Sequence, residues 1–254
     1  MRTDLTRDGG YRFAAETRSA GIYAASDKSI LLVRTAGEIS VSGAVFAVYP
    51  GDLLYLSPDD ICYVAEGGSF DVVCWHFTDA DLFGTDEVTA AVACGFYPSA
   101  GQTADVRAIL GRAAARSGAV TAQEVLLSRM MLSELLLHLP DCTRAQDDAG
   151  KIALAVSYLA AHFDENVSLD TLCAFVGISK FYLCRAFRRD TGLTPHAYLN
   201  LYRVLRADRL LQAGVGAMVC GEQVGYRDYT AFFRSYKRII GSAPSVGLAA
   251  EASV

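Results

Sequence analysis

Two stretches of this chain carry the same residue types at nearly the same offsets. The first runs from Gly177 through Leu183, Arg185, Phe187 and Arg189 to Gly192 and Pro195. The second runs from Gly225 through Phe232, Arg234, Tyr236 and Arg238 to Gly241 and Pro244. Arg185 and Arg234 hold matching places. A guanidinium presents a planar fork of N–H donors, which fits the O6 and N7 acceptors of guanine and discriminates by about 1–3 kcal/mol. Lys180, Phe181 and Cys184 flank the first arginine, and Tyr229 and Thr230 the second. These side chains suit base edges or thymine methyls. Arg188, Arg189, Lys237 and Arg238 suit phosphate oxygens. Phosphate contact alone is the simpler role for Arg185 and Arg234, and the sequence leaves both open.

The surrounding pattern says how such residues would be positioned. Ser168 is an N-cap for a short helix from Leu169 to Phe175, and Gly177 supplies the turn. Ser179 caps a second helix, Lys180 to Asp190, whose Leu183, Ala186 and Phe187 form one buried face. The second set predicts a short helix from Ala217 to Val224, a turn at Gly225, and a helix capped by Asp228 that runs to about Arg238. These are two helix-turn-helix units. Pro195 opens the helix between them, which ends near Ala213 with Tyr198, Leu201, Leu205, Leu210 and Leu211 as its buried stripe. Roughly 18 helical residues span about 27 Å. Neighbouring major-groove segments on one face of DNA lie about 34 Å apart, so one chain could read two of them. Arg203, Arg206 and Arg209 on this helix are expected to form structural ion pairs.

Residues 151–246 resemble the DNA-binding domain of AraC/XylS transcription regulators. The resemblance rests on Ser168 to Leu172, Gly177 to Ser179, Leu183 to Arg189, Gly192 to Tyr198, Arg203 to Ala207, and Val224 to Arg238. It implies double-stranded DNA and RNA polymerase as partners, with transcription either raised or lowered. Departures fall in the second unit: Met218, Cys220 and Gly221 replace the family's preferred residues, Phe233 replaces a small polar one, and Val246 and Gly247 follow Pro244 where an aromatic is expected. A helical glycine costs about 1 kcal/mol relative to alanine. The second unit is therefore expected to be the less stable one, with a larger share of phosphate contact.

The first half of the chain reads differently. Residues 20–80 form short apolar runs separated by Gly, Pro, Asp and Ser, the pattern of an antiparallel sandwich or barrel. Residues 102–117 and 121–139 read as helices. The second is apolar around much of its circumference, so it needs cover on more than one side, by a second subunit or by its own domain. The segment with Pro50, Gly51, Asp52, Trp75, His76 and Phe77 is similar to the cupin-like sensor barrel that many members of the family carry. The expected fold is thus α+β and multidomain: a cupin-like antiparallel β-barrel with a helical hairpin over 1–140, a linker over 141–150, and an all-α double helix-turn-helix domain over 151–254.

Catalysis is not indicated. Metal-dependent cupins converge several histidines and a carboxylate, and the barrel region contains only His76, so no metal site is expected. No nucleophile elbow, phosphate loop or dinucleotide fingerprint occurs, and no cofactor is expected. Arg34, Glu38, Tyr55, Tyr63, Trp75 and His76 are candidate lining groups for a small-molecule effector, solvent-facing roles being the simpler alternative. Thiol sensing by Cys62 and Cys74 is a further alternative to inert burial.

Bulk properties agree with two unlike halves. The net charge is −5, yet residues 1–150 carry 11 basic against 20 acidic side chains, and residues 151–254 carry 12 against 8. From Lys180 to Arg238 the count is 11 against 4, a polyanion-binding balance. The seven cysteines include no C-x-x-C pair, so reduced thiols in a cytoplasmic protein are expected. No apolar run reaches the roughly 20 residues of a membrane span, and the N-terminal residues have no signal-peptide core. The sequence therefore predicts an effector-responsive, sequence-specific DNA-binding regulator, homodimeric through the 121–139 helix. The alternative is a small-molecule-binding cupin or cupin enzyme with a degenerate helical domain.

Overall fold

The computed structural model describes residues 2–6, 11–25, 27–82, 92, 95–114, 121–142 and 150–245. The expected linker lies mostly outside these, as do Cys94, Val246 and Gly247. Two compact units, one of residues 1–41 and 45–148 and one of 42–44 and 149–254, are described separately.

The first unit is built on a sheet of eight strands: β1 (Arg2–Thr6), β2 (Arg12–Ala25), β3 (Lys28–Val33), β4 (Gly37–Val41), β5 (Ala44–Val48), β6 (Leu53–Leu56), β7 (Cys62–Phe77) and β8 (Gly95–Tyr97). The order is β1-β2-β7-β3-β6-β8, with β4 pairing both β5 and β7. The path has two ends, so the sheet is a half-barrel. Pairings are antiparallel except that β1 runs parallel to β2. The long β7 runs unbroken through Gly67 and Gly68, and its register against β2 shifts between Ser19 and Gly21 while the strand continues. Sequence reading missed β1, β2 and β8. Strand β2 alternates Arg12, Glu16 and Arg18 with small or apolar residues, which does not look like a core strand.

Both faces of this sheet are buried. Successive side chains point to opposite faces. Ile30, Leu32, Val73, Trp75 and Phe77 therefore share one cluster with Val106, Leu110, Leu132, Leu135 and Leu136 of helices α1 (Ala104–Ala114) and α2 (Ala122–His138). Leu31, Val33, Val72 and Cys74 point the other way and pack with Ile39, Val48, Leu54, Cys62 and Phe70. A capping box starts α2: Thr121 accepts from the Glu124 amide and Glu124 accepts from the Thr121 amide. One side of α2 is buried at Met131, Leu132, Leu135 and Leu136, while Leu126, Met130 and Leu137 stand about half exposed.

Helices α3 (Lys151–Ala161), α4 (Leu169–Val176), α5 (Lys180–Thr191), α6 (Pro195–Gln212), α7 (Ala217–Gln223) and α8 (Tyr229–Ile240) make the second unit. Phe187 of α5 meets Tyr198 of α6 edge to face, with ring centroids 5.5 Å apart. At the other end of α6, Val204, Ala207 and Leu211 pack with Cys220, Val224, Phe232 and Tyr236. No helix among the described residues is long and apolar enough to cross a membrane.

Candidate nucleic-acid interface

The two helix-turn-helix units are α4–α5 and α7–α8, and local chemistry sets their ends. Ser168, Ser179, Thr194 and Asp228 each accept a backbone N–H three residues on, at 3.0, 3.4, 3.3 and 2.9 Å. Gly177, Gly192 and Gly241 close α4, α5 and α8 in the left-handed conformation. Helix α7 starts at Gly216, which has no side chain to cap it.

Leu183, Ala186 and Phe187 bury the inner face of α5, and Phe232 and Tyr236 that of α8. On the opposite faces Lys180, Phe181, Arg185, Arg188 and Arg189 are exposed, as are Tyr229, Thr230, Arg234, Lys237 and Arg238; Cys184 and Phe233 are half-buried. Phe181 is 78% exposed and its neighbour Tyr182, which sequence reading passed over, 54%. Aromatic area of this kind on a cationic helix is a surface for thymine methyls and sugar edges. Ten of the eleven candidate residues are thus exposed on the outward sides of the two helices, and the eleventh, Cys184, is half-buried.

Their electrostatic settings differ. The Lys180 Nζ lies 3.0 Å from Asp170 Oδ1, in a pair open to water and therefore weak. Arg189 donates to both oxygens of Asp190, at 2.5 and 2.9 Å, and Asp190 is 8% exposed. That hydrogen bonding holds the guanidinium pKa above its usual value. Arg189 thus satisfies a buried carboxylate as well as facing outward. Arg234 turns its Nε toward the Thr230 carbonyl at 3.4 Å.

Arg203 departs from expectation. It donates to the backbone carbonyls of Phe163 at 2.5 Å and Glu165 at 2.7 Å, in the turn that follows α3. Arg206 lies over the Phe163 ring, 5.2 Å from its centre. Gly221 also has a reason the sequence hid. It is buried, and an added Cβ would stand 3.1 Å from the Phe232 ring, so the missing side chain admits the aromatic core of the second unit. Tyr236 then donates its hydroxyl to Asp208, and Gln212 donates to the other Asp208 oxygen at 3.0 Å.

The six candidate ligand-binding residues of the first unit do not share one place. Tyr55 and Trp75 are buried in the cluster under α1 and α2. Arg34 and Glu38 are exposed and Tyr63 is half-buried. His76 alone of the six lines a small pocket, open to solvent, on the other face of the sheet. Arg18, Ser29 and Cys62 line it too, with Glu16 and Cys74 beside them. Glu16, Cys74 and His76 place one donor atom each within 4.8 Å of one another, a trio that counting histidines overlooked. Burial, followed by the Arg12 and Arg18 charges, lowers the His76 pKa to about 4. Burial raises Cys74 to about 12 and pushes Cys62 up further, so both thiols stay protonated.

Two recognition-type helices, each offering a cationic and aromatic strip from the outward side of a helix-turn-helix, define a DNA-binding transcription regulator. Residues 172–248 match the helix-turn-helix domain family. The chain is 27% identical over 197 residues to the HTH-type transcriptional regulator YbfI of Bacillus subtilis, covering 72% of this chain and 70% of that one. It is 25% identical over 202 residues to the HTH-type transcriptional activator RhaS of Salmonella agona, covering 75% and 70%. Among solved structures, the DNA-binding domain of AdpA in complex with a target DNA is 31% identical; the match covers 36% of this chain and 84% of that one, with a TM-score of 0.35.

Proposed function

We propose that this regulator is effector-responsive and that each chain sets α5 and α8 into successive major grooves. The reading rests on the matched exposure of Arg185 and Arg234 at corresponding turns of the two helices, joined by the 18-residue α6. Lys180, Phe181, Cys184, Tyr229 and Thr230 meet base edges or thymine methyls, and Arg188, Arg189, Lys237 and Arg238 hold phosphate. Residues 1–140 are the sensor and dimerisation domain, 141–150 the linker and 151–254 the DNA-binding domain. A second copy of the chain covers Leu126, Met130 and Leu137 of α2. Residues 126, 130 and 137 fall on one side of a helix, away from the buried one. RNA polymerase is the further partner, and the protein works in the cytoplasm without catalysis of its own.

Selection of DNA sites from a random pool tests the reading. The full chain should enrich two half-motifs about one helical turn apart. With about six phosphate contacts, affinity should fall roughly a thousandfold between 50 and 200 mM salt. Enrichment of a single short motif would remove α8 from base reading. No enrichment would leave only nonspecific polyanion binding.

A further inference from the structure

The pocket on the half-barrel face carries an arrangement that DNA binding does not use. Strand β2 faces β7 so that Arg12 pairs with His76 and Ala14 with Cys74, which puts Arg12, Glu16 and Arg18 on the same face as Cys74 and His76. Arg18 is only 8% exposed, costly for a permanent charge unless it is matched. Its carboxylate partner, Glu16, is shared. Glu16 Oε2 lies 3.0 Å from Arg18, and Oε1 lies 2.8 Å from Arg12. One negative charge therefore answers two positive ones. Arg18 also reaches Cys74 Sγ at 3.4 Å and lies 4.7 Å from the centre of the Tyr23 ring. Neither contact is with a full negative charge. Asp60, on the wall of the same pocket, accepts the Ser57 amide of its own loop at 2.8 Å.

Among the described residues, two polar atoms of side chains that line this pocket are buried without a partner, Arg18 Nε and His76 Nε2. His76 is 3% exposed, and its Nδ1 lies 2.8 Å from Ser29 Oγ. A serine hydroxyl can donate as well as accept. The Ser29 hydroxyl also lies 3.5 Å from the Asp27 carbonyl; when it turns from that long bond to donate to Nδ1, the neutral imidazole carries its proton on Nε2 and presents a donor. The neighbouring wall is apolar: Leu31, Ile39 and Leu56.

We propose that this pocket binds a small monocarboxylate, its two oxygens seated between Arg18 and His76 and its short apolar chain against Leu31, Ile39 and Leu56. The proposal rests on the effector-responsive reading and names the chemical class of the effector. The anion supplies the second negative charge that the Arg12–Glu16–Arg18 group lacks, and it fills both orphaned N–H positions. A metal ion at Glu16, Cys74 and His76 is the competing occupant. The first two of those donors are already engaged by the Arg18 guanidinium, and the thiol is held protonated by burial. A metal would have to displace one cation and arrive beside another, whereas an anion meets both favourably.

Calorimetric titration of the full chain with acetate, butyrate and hexanoate, each beside its primary amide, tests this. At least one acid should bind, with its amide about tenfold weaker or more, since the amide forgoes the charge-assisted bonds. Arg18→Gln should lose the same preference while keeping its far-UV circular dichroism. If that variant does not fold, the acid–amide comparison on the unaltered chain still decides. Equal binding of acid and amide overturns the proposal. So does the absence of acid binding in a sample that still selects its DNA site, which leaves the regulator itself intact. Zinc binding that is lost in Cys74→Ser overturns it in favour of a metal site. Loss of DNA selection would instead strike the regulator reading.

Discussion

Gly177 and Gly225 hold the same place in the two helix-turn-helix units, yet alanine at each should have unequal consequences. Both have positive φ, +66° and +85°. The left-handed conformation costs an L-residue about 1–2 kcal/mol. At Gly177 an added Cβ meets nothing within 4 Å among the described residues, so Gly177→Ala should cost about that and no more. At Gly225 the same atom would stand 2.4 Å from the backbone oxygen of Asp164 and 2.7 Å from its carbonyl carbon. A backbone atom cannot swing aside as a side-chain tip does. The clash adds about 1–3 kcal/mol of overpacking, for a total near 4 kcal/mol. That is a large part of a small domain's stability. The single tryptophan, Trp75, belongs to the first unit, so its fluorescence will not follow the loss. Amide hydrogen exchange in α7 and α8, read beside far-UV circular dichroism, will. Gly225→Ala should collapse protection across α7, α8 and the end of α6, while Gly177→Ala trims protection in α4 and α5 modestly. If the two variants lose protection equally, the clash with Asp164 is not what fixes glycine at 225.

Other consequences follow from the same contacts. Arg185→Ala should relax base preference at one position of the selected site, whereas Arg188→Ala should weaken all sequences alike and reduce the salt slope by about 1; an unchanged motif for Arg185→Ala would assign that arginine to phosphate. Arg189→Ala should lower stability as well as affinity, because Asp190 loses the partner of a buried carboxylate; an unchanged urea midpoint would argue otherwise. Tyr236→Phe removes the hydroxyl that Asp208 accepts and should cost about 1–3 kcal/mol, read as earlier exchange of α6 and α8 amides. His76 has a folded pKa near 4 against 6.5 for the free side chain, so the unfolded chain takes up the proton first. Its stabilising contribution is full above pH 6.5 and is lost as pH falls toward 4, about 3 kcal/mol in all. Urea unfolding followed by Trp75 fluorescence should show a shallower acid-side slope for His76→Gln, and parallel slopes would refute the assignment.

The DNA-reading half was legible because its determinants are local. Ser168, Ser179 and Asp228 cap helices from within three residues, Gly177, Gly192 and Gly241 end them, and a 3.6-residue period separates Leu183 and Phe187 from Arg185 and Arg188. Such features act over one turn of chain, so the sequence contains them whole. One conclusion about the sensor half was equally available: Trp75 and His76 are adjacent on a strand and must face opposite ways, so they could not line one pocket together. Other properties depended on which distant segments meet. Strand β2 looked unlike a core strand because its charged residues answer one another across the pocket and not through their own pattern. Gly221 read as a weak point until the Phe232 ring was seen against it, and Arg203 read as an ion-pairing residue until the carbonyls beyond α3 were seen within its reach. The sequence by itself determined the two helix-turn-helix units and the residues on their outer faces. Only the tertiary structure brought Arg18, Glu16, Cys74 and His76 together, because strand pairing couples residues 56 to 60 positions apart through backbone register, which no local pattern encodes.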